Sequence, residues 1–153
     1  MSSFKGVALK TLSSVEIDRL VSNQHEFNGV TALKSIFGND KRSYVGEFYY
    51  IEKSGRILKN SGELTWYDAR ENSIDRTEYR FYYSDNRVVN KANVGDTLIV
   101  ALCNDDVVKI IIVEEGTRFI DVLKVSIGLS SIDEKYHVVS NLSLLSDLAN
   151  TLK

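Results

Sequence analysis

Apolar and polar positions alternate most clearly in the middle of the chain. Ser43–Glu52 (SYVGEFYYIE), Glu63–Arg70 (ELTWYDAR) and Arg76–Ser84 (RTEYRFYYS) interleave aromatic and β-branched residues with charged ones, the pattern of strands with one face turned inward. Thr97–Cys103 (TLIVALC) and Val107–Glu114 (VVKIIIVE) are apolar almost without interruption. That pair predicts strands buried on both faces, as in a closed barrel. Asn104-Asp105-Asp106 between them has the composition of a hairpin turn, and Phe4–Leu12 is a weaker strand candidate. Helical spacing is rarer. Val30–Phe37 follows Asn28-Gly29 and stops at Gly38, a C-terminal glycine. Phe119, Ile120, Leu123 and Ile127 fall on one helix face that ends at Gly128. Leu142, Leu145, Leu148 and Leu152 form a third stripe, with Ser140 or Asn141 as N-cap. This last stripe fits a terminal packing helix or the first turn of a further domain equally well. The pattern predicts a mainly β barrel with two or three short helices over residues 1–138, then a short C-terminal segment, 139–153.

Composition narrows the function more than the fold. At 153 residues the chain has room for one hydrophobic core. Its 43% apolar and 26% charged residues are those of a globular domain rather than a disordered one. No run approaches the ~20 apolar residues of a membrane span. The opening MSSFKGVALKTL lacks the apolar segment of a secretory signal, and the single Cys103 excludes an internal disulfide. These features imply a cytoplasmic protein with no membrane association. Two histidines and one cysteine argue against a structural zinc site. His25 and His137 lie in no H-x-K or H-E-x-x-H context, and there is neither a phosphate-binding glycine loop nor a G-x-S-x-G elbow. Cys103 sits in an apolar strand and reads as a core thiol. Asp133-x-Lys135 resembles half of a nuclease motif but has no partner carboxylate in a nearby strand. Carboxylates are numerous without diagnostic spacing, which leaves a glycosidase open. The chemistry present favours binding over catalysis, with no catalytic residue, metal or cofactor expected in this chain.

Charge is distributed unevenly. Residues 1–91 carry 14 Lys/Arg and 12 Asp/Glu, net +2, while residues 92–153 carry 5 and 9, net −4, giving the overall −2. Two stretches in the basic half are informative. On a strand, Arg76, Glu78 and Arg80 share one face. Arg is the bidentate partner of guanine O6/N7 and Glu accepts from cytosine N4, so this row has the pattern for a G·C-rich step. Arg70 would enter from the preceding strand, with Glu71–Asp75 at the tip between them. The same alternation is usually a solvated face with cross-strand ion pairs. The second stretch, Ser22–Gly29 (SNQHEFNG), reads as a polar loop. Asn23, Gln24 and Asn28 are amides able to contact adenine, and His25 and Glu26 add a donor and an acceptor. It also reads as an ordinary turn capping the next helix, with Phe27 packed on that helix as a staple.

Together the two stretches resemble the N-terminal effector domain of EcoRII-type restriction endonucleases, related in fold to the plant B-three transcription-factor domain. The resemblance rests on SNQHEFNGV (22–30), LKSIFG (33–38), WYDAR (66–70), DRTEYRFYYSDN (75–86) and VGDTLIVA (94–101), in order across residues 10–128. It implies a seven-stranded open pseudobarrel that grips double-stranded DNA with two arms in the major groove, reading a short G·C-rich site such as CC(A/T)GG. The base-reading positions would be Asn23, Gln24, His25, Glu26 and Asn28 in the first arm. In the second they would be Arg70, Asn72, Arg76, Glu78, Tyr79 and Arg80. Lys34, Lys41, Arg42, Lys59, Arg87 and Lys91 are expected to touch phosphates, fixing register without reading sequence. A nuclease domain would lie C-terminal to this segment, in a bacterial or archaeal restriction enzyme, and Mg2+ would be needed only there. Nothing in the pattern suggests a coiled coil, so a monomer is expected. Asp68, Glu71 and Asp75 make the second arm more acidic than is usual in the family. A competing reading, a carbohydrate or small-ligand barrel, is motivated by Tyr49, Tyr50, Trp66, Tyr67, Tyr82 and Tyr83, which could line a pocket.

Overall fold

The two apolar patterns become two kinds of strand within one sheet. The computed structural model describes residues 3–21, 26–29, 31–70 and 78–152, with backbone alone at 19–21, 28 and 29. In chain order the strands are β1 (Phe4–Thr11), β2 (Glu26–Gly29), β3 (Arg42–Ile51), β4 (Ile57–Asp68), β5 (Tyr79–Tyr83), β6 (Thr97–Cys103), β7 (Val108–Val113) and β8 (His137–Val138). They form one sheet in the order β2-β5-β4-β3-β7-β6-β1-β8. All neighbours are antiparallel except β3 and β7. The sheet curls into a half-barrel, a mainly β architecture consistent with the expected pseudobarrel. It has eight strands among the described residues rather than seven, and the short β2 and β8 lie at its edges.

Helices outnumber the two or three expected. They are α1 (Ser14–Val21), α2 (Thr31–Phe37), α3 (Arg87–Asn90), α4 (Arg118–Ile127) and α5 (Ser146–Thr151), with a 3-10 turn at Leu142–Leu145. The start of α1 has a signal that the apolar pattern hides. Glu16 N–H meets Ser13 Oγ at 3.4 Å and Ser13 N–H donates to Glu16 Oε1 at 3.2 Å, a capping box. Similarly, Asn86 caps α3 by accepting from the backbone of Val88 and Val89. At four residues α3 is too short for a helical periodicity to stand out.

The half-barrel is filled by one cluster and covered by another. Inside lie Leu98, Val100 and Leu102 of β6, Ile110 and Ile112 of β7, and an aromatic group comprising Phe27, Phe37, Tyr44, Phe48, Trp66, Phe81 and Tyr83. Outside, Ile99, Ala101, Ile111 and Val113 meet Leu123 of α4, Leu145, and Leu148 and Leu152 of the C-terminal segment. Every residue of β6 is buried. The continuous apolar run therefore arises because both faces are covered: barrel interior on one side, a helical layer on the other. The 142–152 stripe belongs to that layer, with Leu145 and Leu148 each 1% exposed.

Two local devices shape the barrel. Gly46 of β3 stands opposite Gly62 of β4, and a Cβ on Gly46 would lie 2.7 Å from Leu64 Cδ1. The bare position lets β3 and Leu64 approach as the sheet bends. In the VGDTLIVA segment, buried Asp96 accepts from Tyr50 Oη (3.0 Å), Asn93 N–H (2.9 Å) and Glu115 N–H (3.0 Å). This side chain thereby joins the loops that precede β6 and follow β7, with its buried oxygens hydrogen-bonded, as burial of polar atoms requires. Cys103 is fully buried and its thiol is pushed up to about 11 by desolvation, which keeps it an inert core group. No helix among the described residues is long and apolar enough to cross a membrane.

Candidate nucleic-acid interface

Period-two alternation divides β5 into an inner and an outer face. Tyr79, Phe81 and Tyr83 point inward and are buried, while Arg80 is partly and Tyr82 largely exposed. Tyr79 stacks on Trp66 with ring centroids 5.2 Å apart and donates from its hydroxyl to Asn39 O at 2.9 Å. Its ring packs in the core, with its hydroxyl bound to the backbone. Glu78 and Arg80 remain on the outer side, as the pattern predicted.

Strand pairing brings the two separated stretches together. Residues 26–29, expected as loop, form β2 and pair with β5 in the register Glu26↔Tyr82, Phe27↔Phe81, Asn28↔Arg80 and Gly29↔Tyr79. A four-residue edge strand containing Asn-Gly has almost no local β signal, so its partner strand determines its conformation. Phe27 is a core residue whose ring lies 4.9 Å from Tyr83. Next to it, Glu26 accepts from Arg80 Nη1 at 3.1 Å, across 54 positions of sequence.

From Glu26 a continuous chain of alternating charges crosses the outer face. Tyr67 of β4 donates to Glu26 Oε2. Arg80 Nη2 donates to Glu78 Oε1 at 2.7 Å, and Arg70 Nε donates to Glu78 Oε2 at 3.0 Å. Hydrogen bonding from Arg80, then from Arg70, holds the Glu78 carboxyl below its ordinary range. Its bond to Glu78 keeps Arg80 above its ordinary value, although desolvation pulls the other way. Burial, and then the bond to Glu26, push Tyr67 up to about 12, so it acts as a neutral donor. Side-chain exposure rises outward, from 13% at Glu26 through 28% at Arg80 and 38% at Glu78 to 49% at Arg70.

Each residue of the WYDAR motif has a defined role at this place. Trp66 is fully buried and donates from Nε1 to Gly38 O at 3.0 Å, which ties the end of α2 to β4. Tyr67 faces outward to Glu26. Asp68 Oδ1 accepts from both Arg70 N–H (2.9 Å) and Glu78 N–H (2.8 Å), clamping the two ends of the β4–β5 connection. Ala69 N–H adds a 2.7 Å bond to Glu78 O. Asp68 reads from sequence as an unwelcome acidic charge in a DNA arm, yet its partners are the backbone amides of Arg70 and Glu78.

The remaining expected residues divide into three groups. Asn23, Gln24, His25, Asn72 and Arg76 lie outside the described residues, and Asn28 is described by its backbone alone. Lys34, Lys41 and Arg42 lie toward the end of the sheet that holds Trp66 and Tyr79. Lys34 Nζ is 5.0 Å from the Tyr79 ring centroid, and Arg42 stands opposite Trp66 with its guanidinium on Asp106 at 2.9 Å. Lys59, Arg87 and Lys91 do not join them. Lys59 and Asp68 are at opposite ends of β4, up to roughly 30 Å apart at strand rise.

The aromatic residues that motivated a ligand-binding barrel also separate. Tyr50, Trp66 and Tyr83 are in the interior cluster, Tyr50 with its hydroxyl on Asp96, while Tyr49 belongs to the outer cluster and Tyr82 is exposed. Among the described residues no group of three or more His, Cys, Asp or Glu side chains could hold a metal ion.

No protein-family model matches this chain, and no curated protein matches its sequence. Solved structures do. The N-terminal domain of Helicobacter pylori LlaJI.R1 aligns with 89% of this chain and 98% of its own length, at 12% identity and a TM-score of 0.54. The B3 domain of UbaLAI restriction endonuclease, solved with cognate DNA, aligns over 90% of this chain and 89% of its own, at 15% identity and a TM-score of 0.42. At 12% identity, the likeness to the LlaJI.R1 domain establishes a shared fold.

Proposed function

We propose that this chain is a sequence-specific double-stranded DNA-binding module, the effector or targeting domain of a restriction endonuclease. The observation that carries the reading is the β2–β5 pairing, which joins Glu26 and Arg80 into one polar cluster with Glu78 and Arg70. These residues come from the two stretches that resemble the arms of the EcoRII-type domain, and the fold shared with a LlaJI.R1 domain supports the same assignment. The exposure gradient divides the labour. Arg70 and Glu78, outermost and held by exposed ion pairs worth little in water, exchange those partners for guanine and cytosine edges. Arg80 and Glu26, more buried, hold the cluster in register. Lys34, Lys41 and Arg42 flank it as phosphate contacts.

The site read is a short G·C-rich duplex of the CC(A/T)GG type, engaged from the major groove by a monomer. Catalysis, with its Mg2+, belongs to a nuclease domain of the same polypeptide in a bacterial or archaeal cytoplasm. Selection of a randomised duplex library on the purified chain tests this reading. The expected result is one enriched G·C-rich motif whose affinity falls steeply with salt, because phosphate contacts release counterions. Recovery of no motif, or an affinity indifferent to salt, contradicts it.

A further inference from the structure

The three cations that fail to join the arms meet elsewhere. Lys59 of β4 and Arg87 and Lys91, on α3 and at its C-cap, converge with Arg56 around a cavity of about 350 Å3 floored by Leu58 and Val88. Two of the four charges are loosely compensated: Lys59 lies 3.7 Å from Glu47 and Lys91 lies 3.9 Å from Glu52. Both distances exceed those of good charge-assisted hydrogen bonds. Arg56 and Arg87 have no carboxylate partner among the described residues, and no acidic side chain lines the cavity. Unpaired like charges gathered in one concavity repel each other and focus a positive potential into it, which an entering anion relieves. Two guanidiniums offer the planar forks that match phosphate oxygens, and the lysines add point charges. The volume is at the small end of ligand sites. It suits one phosphate with its sugar on the apolar floor.

We propose that this pocket binds a phosphate group of a nucleic-acid strand, at a site separate from the arms. It rests on the DNA-binding reading only in taking nucleic acid as the carrier of the phosphate. The chain would then hold a second strand, or a distant part of the same one, at the end of the sheet remote from Arg70 and Glu78.

Amide chemical-shift titration of the whole chain tests the site, with inorganic phosphate as one probe and a 5′-phosphorylated single-stranded tetranucleotide as the other. Neither probe presents a duplex to the arms, so this result and that of the library selection can fail independently. Both probes are expected to shift amides of residues 56–59 and 87–91 while leaving residues 68–70 and 78–80 in place. R56Q and R87Q are each expected to weaken tetranucleotide binding about tenfold, the loss of one hydrogen-bonded charge. Their spectra report directly that the fold is intact. Tighter binding of the tetranucleotide than of phosphate identifies a strand backbone as the ligand. Equal affinity overturns that assignment in favour of a small-anion site. Shifts confined to the arms, no shifts at all, or affinity unchanged in both variants overturn the pocket itself.

Discussion

β5 and β6 are strands of the same sheet, and they differ in what their outward faces meet. β6 lies between the barrel interior and the layer of α4 and the C-terminal segment, so all its side chains are buried. β5 buries only alternate residues and turns Arg80 and Tyr82 to solvent. Two-sided burial secures stability and leaves no group free for a partner. One-sided burial spends the aromatic face on the core and releases the other for charges, held in place by neighbouring strands. The proposed interface lies where, among the described residues, no second layer covers the sheet.

Substitution at the covered strands provides the largest test of this contrast. Ile111→Ala, which empties space between β7 and the helical layer, is expected to cost roughly 2–5 kcal/mol in chemical denaturation, as for other large-to-small core changes. A cost under about 1 kcal/mol would mean the outer layer contributes little packing. Next in size is Glu26→Ala at the base of the charged cluster. It strands Arg80 Nη1 and the Tyr67 hydroxyl, and is expected to cost roughly 1.5–3 kcal/mol, the range for hydrogen bonds to a charged group. Glu78 gives the smallest effect, through pH. Its folded carboxyl is held below the ordinary 4.5, so its contribution is complete above that value and is lost as pH falls through the depressed one. Thermal melting should show the gap between wild type and Glu78→Gln narrowing as the solution is acidified below the ordinary glutamate range. A gap independent of pH would mean the Glu78 charge is not engaged.

The same contrast explains which parts of the molecule were legible in the sequence. Thr97–Cys103 matches β6 from end to end, since seven buried residues in a row leave one interpretation. β4 begins at Ile57, six residues before the expected Glu63. Its first half, ILKNSG, has weak strand propensity and is drawn into the sheet by pairing with β3. β2 was hidden for the same reason. At the site, the outward face of Glu78 and Arg80 followed from alternation alone. That Glu26 belongs with them did not, because contact across 54 positions depends on a register that no local pattern encodes. Nor did the separation of the cations: Lys34, Lys41 and Arg42 could not be told from Lys59, Arg87 and Lys91 before the sheet placed them at different ends.

The central claim is that the outer part of this cluster reads bases. The most direct measurement compares wild type and Glu78→Ala on the duplex recovered by library selection and on a random duplex of equal length, at one salt concentration. The expected result is a loss of about 1–3 kcal/mol on the selected duplex, with relaxed discrimination at one G·C pair and little change on the random one. An unchanged ratio between the two duplexes would contradict it, leaving Glu78 as the middle of a surface ion-pair row and nothing more.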